Sequence, residues 1–360
     1  MKIVIFAGGV GTRLWPVSRK NTPKQFEKII GDKSTLQQTI ERLVPDFNPL
    51  DIYIATGKRY ETVVREQLPQ IPEKNFIFEP EMRDVGPAIG LAATILYKHF
   101  PNESIAILWS DHLVKHAETF VKVLKMAEKV VEEKKSDFVF IGQKPRFANQ
   151  NMGWIEVEKQ LEEKDGVKMY SFKKLFYRPE QSQAEKFFEN KNFVWNLGYF
   201  VATPKYLCML FETFVPNMFK KLMNIADVWQ TSKFEQLLNS VYPTLEKISF
   251  DDAVLVRLEK QKISVISADL GWSDVGAWEA LKEALAETNE ENLTKGNVVL
   301  EDSRDSLVFN YNSQLVVGID LNDMLVVNTH DVLLVCPKKS VPKIKKLVES
   351  LTGTAHEHLA

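Results

Sequence analysis

The stretch KIVIFAGGVGTRLWP, residues 2–16, decides the fold that this chain is expected to adopt. Lys2 to Phe6 is a short β-rich run, and glycines follow it almost immediately. Because glycine carries no side chain, backbone amides in such a loop can approach phosphate oxygens closely. The sequence therefore predicts a strand that leads into a phosphate-binding loop. The residues assigned to this loop are Gly8, Gly9, Gly11 and Thr12.

Two basic residues accompany the loop. A guanidinium at Arg13 suits bidentate contact with the phosphate oxygens of a triphosphate. Lys24, in Pro23-Lys24-Gln25, would supply a second, mobile positive charge. A Rossmann dinucleotide loop needs glycine at the position of Leu14, and a Walker loop needs Gly-Lys-Ser/Thr, so neither standard motif is present. The alternative is a tight strand-to-helix turn without a ligand, which does not require both Arg13 and Pro23-Lys24-Gln25.

From residue 1 to about residue 145, β-rich runs alternate with amphipathic stretches, which predicts a parallel sheet covered by helices. Apolar residues from Phe120 to Val131 recur every three or four positions, as on a surface helix that buries one face. Strands are predicted at 2–7, 51–56, 76–79, 104–109 and 137–142. Helices are predicted at 35–44, 58–68, 86–99 and 117–135.

The region from about 153 to 270 is less regular, and a mixed insertion onto the sheet fits it best. After Gly271 a helix pattern starts near Val275 and runs to about residue 287. Short apolar runs then recur about every nine residues, which predicts a small β domain and leaves a solenoid open. We therefore expect an N-terminal α/β domain at 1–288 and a C-terminal domain at 289–360, with a basic helix at 341–351 and a frayed end at 352–360. Strands are predicted within 153–270 at 154–158, 167–172 and 193–202, and helices at 205–213, 232–240 and 252–260.

The composition excludes several classes of protein. The chain has 360 residues, of which 44% are hydrophobic and 26% charged, which argues against disorder. Lys plus Arg number 46 against 48 Asp plus Glu, so binding to nucleic acid or to acidic membranes is not expected. No apolar run approaches the ~20 residues that span a bilayer, and the N-terminal sequence lacks the pattern of a signal peptide, so we expect a cytoplasmic protein. Cys208 and Cys336 lie in separate apolar segments and are expected to be buried thiols.

Two aspartates lie next to predicted strands. Asp111 comes directly after an apolar strand, at the carboxyl end where α/β sheets bind ligands. Asp274 lies in a turn between a strand and the following helix. The alternatives are a loop carboxylate for Asp111 and a helix N-cap for Asp274. His112 and His116 are four residues apart without the glutamate of a zinc protease, so a structural role is expected for them.

Longer motifs connect the chain to a known family. FAGGVGTRLWPVSR (6–19) followed by PKQF (23–26) resembles the signature of the mannose-1-phosphate guanylyltransferases, or GDP-mannose pyrophosphorylases. The resemblance continues through LQQTIERL (36–43), Glu79-Pro80, Pro87-Ala88-Ile89, Asp111-His112, WNLG (195–198) and GWSDVG (271–276), and covers nearly the whole chain. It implies a mixed α/β nucleotide-sugar transferase domain with a Rossmann-like sheet, followed by a small left-handed β-helix-like domain. It also implies the short form, without the phosphomannose isomerase domain.

The resemblance implies a reaction as well. A mannose 1-phosphate oxygen attacks the α-phosphorus of GTP in line, pyrophosphate leaves and GDP-mannose forms, with Arg13, Lys24 and Asp111 as catalytic residues. It implies Mg²⁺ as cofactor, held by Asp111 and Asp274, which fits the preference of Mg²⁺ for carboxylates and phosphates. The residues implied for the nucleotide beyond the loop and Arg13 are Glu79, Arg83, Asp84 and Gly86. Those implied for the sugar phosphate are Asp111, Gly153, Arg178, Asn196, Gly198 and Asp251.

Glu79 is the candidate for base choice, because a carboxylate can accept hydrogen bonds from both N1–H and the 2-amino group of guanine. A surface turn is its alternative. For Gly153 and Asp251 the alternatives are a strand glycine and a helix-capping aspartate.

Several positions depart from the family pattern. Arg83-Asp84-Val85-Gly86 stands where the family usually has Arg-Asn-Thr-Ala, which adds a carboxylate near the expected base. Tyr177-Arg178-Pro179 stands in place of Glu-Lys-Pro: Arg178 can still pair with phosphate, but Tyr177 cannot replace a carboxylate. Trp109-Ser110 replaces Pro-Ala and is expected to matter little.

Other functions remain open from the sequence: a catalytically inactive, nucleotide-sugar-binding regulatory subunit, or a pyrophosphorylase for another sugar 1-phosphate or base. Dehydrogenase chemistry is disfavoured by Leu14. A homodimer is expected if apolar residues are exposed on the C-terminal strands.

Overall fold

The computed structural model describes residues 1–9 and 11–360, with Thr12 described by its backbone alone. The chain divides into two units, which we call unit 1 and unit 2. Unit 1 comprises Met1–Ala7, Ile40–Ser110 and His116–Leu270. Unit 2 comprises Gly8–Thr39, Asp111–Lys115 and Gly271–Ala360. The domain boundary expected at 288/289 stays a prediction.

The secondary structure of the described residues alternates between strands and helices. The strands are β1 (Lys2–Phe6), β2 (Ile52–Gly57), β3 (Phe76–Glu79), β4 (Ile105–Trp109), β5 (Leu113–Val114), β6 (Phe138–Gln143), β7 (Gly153–Lys164), β8 (Val167–Tyr177), β9 (Phe193–Ala202), β10 (Ile263–Ser267), β11 (Trp272–Ser273), β12 (Leu293–Lys295), β13 (Val298–Glu301), β14 (Leu307–Asn310), β15 (Val316–Ile319), β16 (Met324–Asn328) and β17 (Leu333–Pro337). The helices are α1 (Thr35–Leu43), α2 (Glu61–Gln67), α3 (Val85–His99), α4 (Ala117–Glu132), α5 (Gln181–Glu189), α6 (Pro204–Phe214), α7 (Pro216–Ala226), α8 (Phe234–Val241), α9 (Phe250–Ala253), α10 (Trp278–Leu285) and α11 (Ile344–Ser350).

Unit 1 is built on a mixed sheet with strand order β3-β2-β1-β4-β9-β6-β10-β8-β7. Strands β3, β2, β1 and β4 are parallel neighbours, as are β6 and β10. Strand β9 lies between β4 and β6 and is antiparallel to both. The predicted parallel sheet is thus confirmed for the first strands, and the mixed insertion is confirmed for the region after residue 153.

Helices cover both faces of this sheet. Tyr199 and Phe200 are neighbours in β9, so their side chains point to opposite faces. Phe200 stacks on Phe250 of α9 with 5.4 Å between ring centroids, whereas Tyr199 packs against Phe120 of α4, also at 5.4 Å. Because both faces are covered, β1 and β4 are continuous apolar runs and not alternating ones. The amphipathic pattern predicted for α4 is confirmed, since its apolar residues from Phe120 to Val131 are buried except for Met126, which is half-buried.

The sheet has a topological switch point between β1 and β4. The chain moves from β1 to β2 and β3 on one side, then returns to place β4 on the other side of β1. Open α/β sheets bind ligands beyond the carboxyl ends of the strands at such a point. Phe6 and Trp109 are register partners at these two ends, and the glycine loop and Asp111 are the next segments of chain.

Unit 2 contains a β-helix-like stack. Strands β12, β14 and β16 pair in parallel, and β13 pairs in parallel with β15. Val298 pairs with Val316 and Leu307 pairs with Leu325, so the later pairs repeat every 18 residues with two strands in each repeat. Strand β17 closes the stack by running antiparallel to β16. This arrangement accounts for the nine-residue spacing of apolar runs in the sequence.

The chain end of unit 2 is ordered by contacts. Trp278 Nε1 donates to the carbonyl oxygen of Trp15, and Trp15 Nε1 donates to that of Leu359 at 2.7 Å. The Trp278 ring also meets Phe309 edge to face at 5.5 Å. The frayed end expected at 352–360 is therefore wrong, because Leu359 accepts a hydrogen bond from the buried Trp15.

Some helix bounds differ from prediction. The helix expected at 252–260 is only the single turn α9, since Phe250, Ala253, Val254 and Leu255 are all buried and the backbone leaves helical geometry at Val254. Helix α10 begins at Trp278 and not near Val275, because Val275 has a left-handed φ of 41°.

Two composition-based expectations can be compared with the structure. Cys208 is buried as expected, whereas Cys336 is partly exposed, and both are free thiols. Within residues 1–9 and 11–360, no helix combines the length and the hydropathy needed to cross a bilayer.

Candidate functional site

The glycine loop of unit 2 leaves space for a ligand on one side. Gly9 and Gly11 have left-handed φ values of 95° and 62°, which glycine adopts without strain. A Cβ built on Gly8 or Gly9 would have no described atom within 4 Å beyond the chain neighbours, whereas one on Gly11 would meet Ser18 Oγ at 2.9 Å. Thr12 was also assigned to this loop, and its side chain lies outside the described atoms. The backbone of the loop is therefore accessible at Gly8 and Gly9, whereas at Gly11 it packs against Ser18.

Lys24 is held by three partners in unit 2. Its Nζ donates to the carbonyl oxygens of Asp274 at 2.9 Å and Val275 at 3.3 Å, and pairs with Asp111 Oδ2 at 2.9 Å. Lys24 is only 9% exposed, so the mobile charge expected from the sequence is wrong. An ammonium has three donors, and all three have partners here. Contact with a phosphate through Nζ therefore requires the exchange of one partner.

Asp111 and Asp274 lie together in unit 2. Since Lys24 Nζ contacts Asp111 Oδ2 and the Asp274 carbonyl at 2.9 Å each, these oxygens are separated by no more than twice that distance. Burial acts to raise the pKa of Asp111, but the charges of Lys24 and His112 outweigh it, so this pKa lies below its usual value. Asp274 Oδ1 accepts from the amide of Gly276. The N-cap alternative for Asp274 is wrong, because Ala277 is the residue that precedes α10.

The donor set of this pair fits magnesium. Among the described residues no group of three or more His, Cys, Asp or Glu side chains is placed to hold a metal ion. Two carboxylates completed by substrate phosphates and water are the usual protein environment of Mg²⁺.

The two histidines near Asp111 have contacts of their own. His112 lies edge to face on Trp272 at 5.0 Å, and His116 Nδ1 is 2.9 Å from the carbonyl oxygen of Asp269.

Arg13 is exposed on the turn after the glycine loop. A Cβ built on Gly276 would lie 3.1 Å from both Arg13 Nη2 and Asp274 Oδ2, so glycine at 276 permits the close approach of these two groups. Arg13, Lys24, Asp111 and Asp274 are therefore brought together within unit 2, as the sequence reasoning required.

Glu79 ends β3 in unit 1 and has one strong partner. The hydroxyl of Tyr242 donates to Glu79 Oε2 at 2.5 Å. Burial raises the pKa of Glu79 to about 7, and the hydrogen bond from Tyr242 acts in the opposite direction. Tyr242 is a residue that the sequence reasoning missed, since it lies 163 residues away and belongs to no motif.

The other residues assigned to the nucleotide surround the start of α3. Asp84 caps α3 by accepting from the amide of Val85 at 2.7 Å, with a left-handed φ of 68° that is costly outside glycine. The amide of Gly86 donates to the carbonyl oxygen of Ile248 at 2.9 Å. A Cβ built on Gly86 would lie only 2.7 Å from the same oxygen. Arg83 pairs with Glu81 at 3.0 Å.

Four of the residues assigned to the sugar form one network in unit 1: Gly153, Asn196, Gly198 and Asp251. Asn196 Oδ1 accepts from the amide of Gly198 at 3.0 Å, and its Nδ2 donates to Asp251 Oδ1 at 3.4 Å. A Cβ built on Gly153 would lie 3.0 Å from the Cβ of Asn196. The network holds the side chain of Asn196 in one orientation between a carboxylate and a backbone amide.

Trp109 packs directly on this network, although the sequence suggested that it matters little. Its Nε1 donates to the carbonyl oxygen of Gly198 at 3.1 Å. Gly198 has a φ of 76°, and a Cβ there would lie 2.5 Å from Trp109 Nε1. The indole therefore fixes the turn that carries Gly198.

Acidic groups gather around Asp251. Burial raises the pKa of Asp251 to about 6; the charges of Asp252 and Asp84 add to this, while Arg178 acts against it. The Arg178 guanidinium lies 5.0 Å from the ring centroid of Tyr177. The structure thus places Arg178 and Asp84 in the electrostatic environment of Asp251.

Comparison with known proteins gives the family. Residues 2–291 match the family described as Nucleotidyl transferase, and residues 296–351 match the MannoseP isomerase/GMP-like beta-helix domain. The chain is 33% identical to the mannose-1-phosphate guanylyltransferase of Escherichia coli over 97% of this chain and 75% of that protein. It is 31% identical to mannose-1-phosphate guanylyltransferase 2 of Escherichia coli O157:H7 over 97% of this chain and 73% of that protein.

A solved structure agrees with these relatives. The crystal structure described as mannose-1-phosphate geranyltransferase from Thermus thermophilus matches with a TM-score of 0.85 and 27% identity, over 97% of this chain and 98% of that one. The two matched regions correspond to the mixed sheet and to the β-helix-like stack. The chain therefore belongs to the nucleotidyl transferase family, as a member of the mannose-1-phosphate guanylyltransferases.

Proposed function

We propose that this protein transfers GMP from GTP to mannose 1-phosphate, releasing pyrophosphate and forming GDP-mannose. The observation that carries the proposal is the set of Lys24, Asp111 and Asp274, assembled after a glycine loop in a member of this family. This set combines a cation, which would bind phosphate oxygens, with two carboxylates, which would hold Mg²⁺ during nucleotidyl transfer.

No protein nucleophile is needed for the transfer. A phosphate oxygen of the sugar 1-phosphate forms a bond to the α-phosphorus of GTP while the bond to the β-phosphate oxygen breaks, and pyrophosphate carries away the electron pair. The attacking phosphate is already an anion at neutral pH. The protein therefore contributes alignment and charge neutralisation, which are the main sources of catalysis in such transfers.

Arg13 and Lys24 are proposed to bind phosphate oxygens, with the amides of Gly8, Gly9 and Gly11 at the loop. When Lys24 exchanges Asp111 for a phosphate oxygen, the carbonyl oxygens of Asp274 and Val275 still hold its ammonium group in place. Asp111 and Asp274 would hold Mg²⁺, which would neutralise charge on the phosphates.

The unit 1 residues are proposed to select the substrates. Glu79 would accept from N1–H and the 2-amino group of guanine, with Arg83, Asp84 and Gly86 near the nucleoside. Asn196 would bind sugar hydroxyls, because an amide both donates and accepts and its orientation is fixed by Gly198 and Asp251. Arg178 is proposed to pair with the sugar phosphate.

A homodimer through the C-terminal strands remains part of the proposal. Val299 and Val317 are register partners in β13 and β15, and they are 50% and 57% exposed. Ile319, Leu333 and Val335 are also more than half exposed. Apolar side chains grouped on adjacent strands are typical of surfaces that associate. The cytoplasmic location expected from the sequence also stays a prediction.

The proposal is tested by pyrophosphate release from the purified protein with Mg²⁺. The assay combines each of the four nucleoside triphosphates with the 1-phosphates of mannose, glucose, galactose and N-acetylglucosamine. Release is expected with GTP and mannose 1-phosphate. Release with another sugar 1-phosphate would assign a pyrophosphorylase with a different sugar specificity. The replacement of the family's Glu-Lys by Tyr177-Arg178 is the candidate cause of such a change. If no pair of substrates gives pyrophosphate release while GDP-mannose still binds, the protein is a regulatory subunit.

A further inference from the structure

The buried hydroxyl of Tyr242 reaches the one carboxylate to which guanine recognition is assigned. We propose that Tyr242 is a positioning residue that orients the carboxylate of Glu79 as a hydrogen-bond acceptor and thereby favours guanine over adenine. This inference rests on the proposed function, in which Glu79 faces the base. No sequence motif contains Tyr242, and its contact with Glu79 carries the argument.

The tyrosine is rigidly placed. Tyr242 begins the short turn Tyr242–Thr244 that follows α8, its side chain is 0% exposed, and it belongs to the hydrophobic core of unit 1. Glu79 is the last residue of β3, where it pairs with Gly57 of β2, and Pro80 follows it. A donor fixed in the core thus meets a carboxylate fixed at a strand end, so the 2.5 Å hydrogen bond defines where the carboxylate points.

The bond leaves enough acceptor capacity for a base. An ionised carboxylate offers about four acceptor positions on its two oxygens. Tyr242 uses one position on Oε2. Oε1 and the second position on Oε2 remain for two parallel donors, which is the pattern that N1–H and the 2-amino group present.

The charge state of Glu79 decides which purine is complementary. The ionised form has acceptors only and matches the two donors of guanine. The neutral form has one donor and one acceptor, which matches N1 and the 6-amino group of adenine. Burial raises the pKa of Glu79 to about 7, so both forms are accessible near neutrality. The Tyr242 hydroxyl favours the ionised form of Glu79, and the positive charge of Arg83 acts to lower the pKa of Tyr242, which burial and Glu79 raise.

The test is the nucleotide selectivity of Tyr242→Phe, measured as kcat/KM for GTP, ITP and ATP at saturating mannose 1-phosphate. ITP lacks the 2-amino group, so the GTP/ITP ratio reports the second hydrogen bond to Glu79 directly. In Tyr242→Phe we expect the GTP/ATP and GTP/ITP ratios to fall by roughly tenfold, the usual size of a lost hydrogen bond to a charged group. The loss should lie in KM for GTP, with kcat and the KM for mannose 1-phosphate nearly unchanged.

Two further variants separate positioning from general damage. Tyr206→Phe removes a half-buried phenol elsewhere in unit 1 and should leave both ratios unchanged. In a Glu79→Gln background, Tyr242→Phe should have no further effect on the ratios, because the acceptor it positions has lost its charge. If Tyr242→Phe lowers the GTP/ATP and GTP/ITP ratios as much in the Glu79→Gln background as in the wild-type background, the inference is overturned.

The wild-type protein supplies a measurement that does not depend on folding of the variant. Its GTP/ATP ratio should fall as the pH is lowered from about 8 to about 6, because Glu79 becomes protonated in that range. A ratio that stays constant over this range would contradict the inference. So would a Tyr242→Phe protein that keeps the wild-type ratios. A wild-type protein without preference for GTP would instead contradict the assignment of Glu79 in the proposed function itself.

Discussion

The two groups of candidate residues differ in how their carboxylates are stabilised. In unit 2, Asp111 lies against Lys24 and its pKa is below the usual value. In unit 1, burial raises the pKa of Glu79 to about 7 and that of Asp251 to about 6. Asp111 therefore keeps its charge near neutral pH, as binding of a cation requires. The second group pairs with neutral donors, which is suited to reading hydrogen-bond patterns on a base and a sugar.

The largest effect is expected where the charge pair of unit 2 is broken. Asp111→Asn keeps the shape of the side chain but removes the charge that faces Lys24 and would face Mg²⁺. We expect turnover to fall by about 100-fold or more, as when one electrostatic group of an active site is removed. Steady-state pyrophosphate release measures the rate, and thermal unfolding should remain close to wild type.

Asp302→Asn is the matched control for this change, since Asp302 is an exposed aspartate of the β-helix-like stack. It should leave turnover unaffected. Wild-type turnover in Asp111→Asn would remove Asp111 from the mechanism.

The next effect concerns Arg13. Arg13→Ala should lower kcat/KM for GTP by roughly 100-fold, because a bidentate phosphate contact is lost. Arg13→Lys should recover only part of this loss, since an ammonium cannot reproduce the forked geometry. Arg19, which pairs with Asp331 at 2.6 Å, is the control: Arg19→Ala should change the unfolding temperature but leave kcat/KM intact. Equal rates in Arg13→Ala and wild type would contradict the phosphate role.

A moderate effect is expected at the sugar network of unit 1. Gly198→Ala places a Cβ 2.5 Å from Trp109 Nε1, so the turn that orients Asn196 must move. The KM for mannose 1-phosphate should rise by about tenfold, and the KM for GTP should change little. Kinetics with each substrate varied in turn separate the two constants.

Gly166→Ala is a close control for the backbone. Gly166 has a φ of 78°, similar to the 76° of Gly198, but no atom of the described chain beyond its neighbours lies within 4 Å of a Cβ built there. Both variants carry the cost of a left-handed alanine, and only Gly198→Ala has the clash. The same KM in both variants would show that Trp109 does not constrain the sugar network.

The smallest expected effect is a pH dependence of the KM for mannose 1-phosphate, which arises from Asp251 in unit 1. Burial raises the pKa of Asp251 to about 6, so Asp251 is ionised above that pH and accepts better from Asn196 Nδ2. The KM for mannose 1-phosphate should therefore decrease a few-fold as the pH rises through about 6. Asp251→Asn should remove this inflection. An inflection that persists in Asp251→Asn would assign it to another group.

Much of the fold could be predicted because its signals are local. The buried strands β1 and β4 are continuous apolar runs, α4 has a clear amphipathic repeat, and the glycines after Phe6 mark the loop. The nine-residue spacing after residue 297 reflects two strands per 18-residue repeat. Helix bounds near Val254 and Val275 could not be predicted, since burial and backbone geometry set by distant contacts decide them.

Sequence motifs identified the candidate residues of the site, but they could not predict the contacts between those residues. Lys24, Asp111 and Asp274 were assigned from separate motifs, and the structure brings them together in unit 2. The anchoring of Lys24 by two carbonyl oxygens has no sequence signature, because any residue supplies a carbonyl. Tyr242 and Trp109 were missed for a related reason: each acts on a residue 163 or 89 positions away in the chain.

The most direct test of the central claim follows the α-phosphorus. GTP labelled at that atom is incubated with mannose 1-phosphate, Mg²⁺ and the protein, and the products are separated and counted. We expect the label in GDP-mannose, in an amount equal to the pyrophosphate released, and no release without the sugar phosphate. Label that remains in GTP, or that appears in free GMP while pyrophosphate is released without mannose 1-phosphate, would contradict the account.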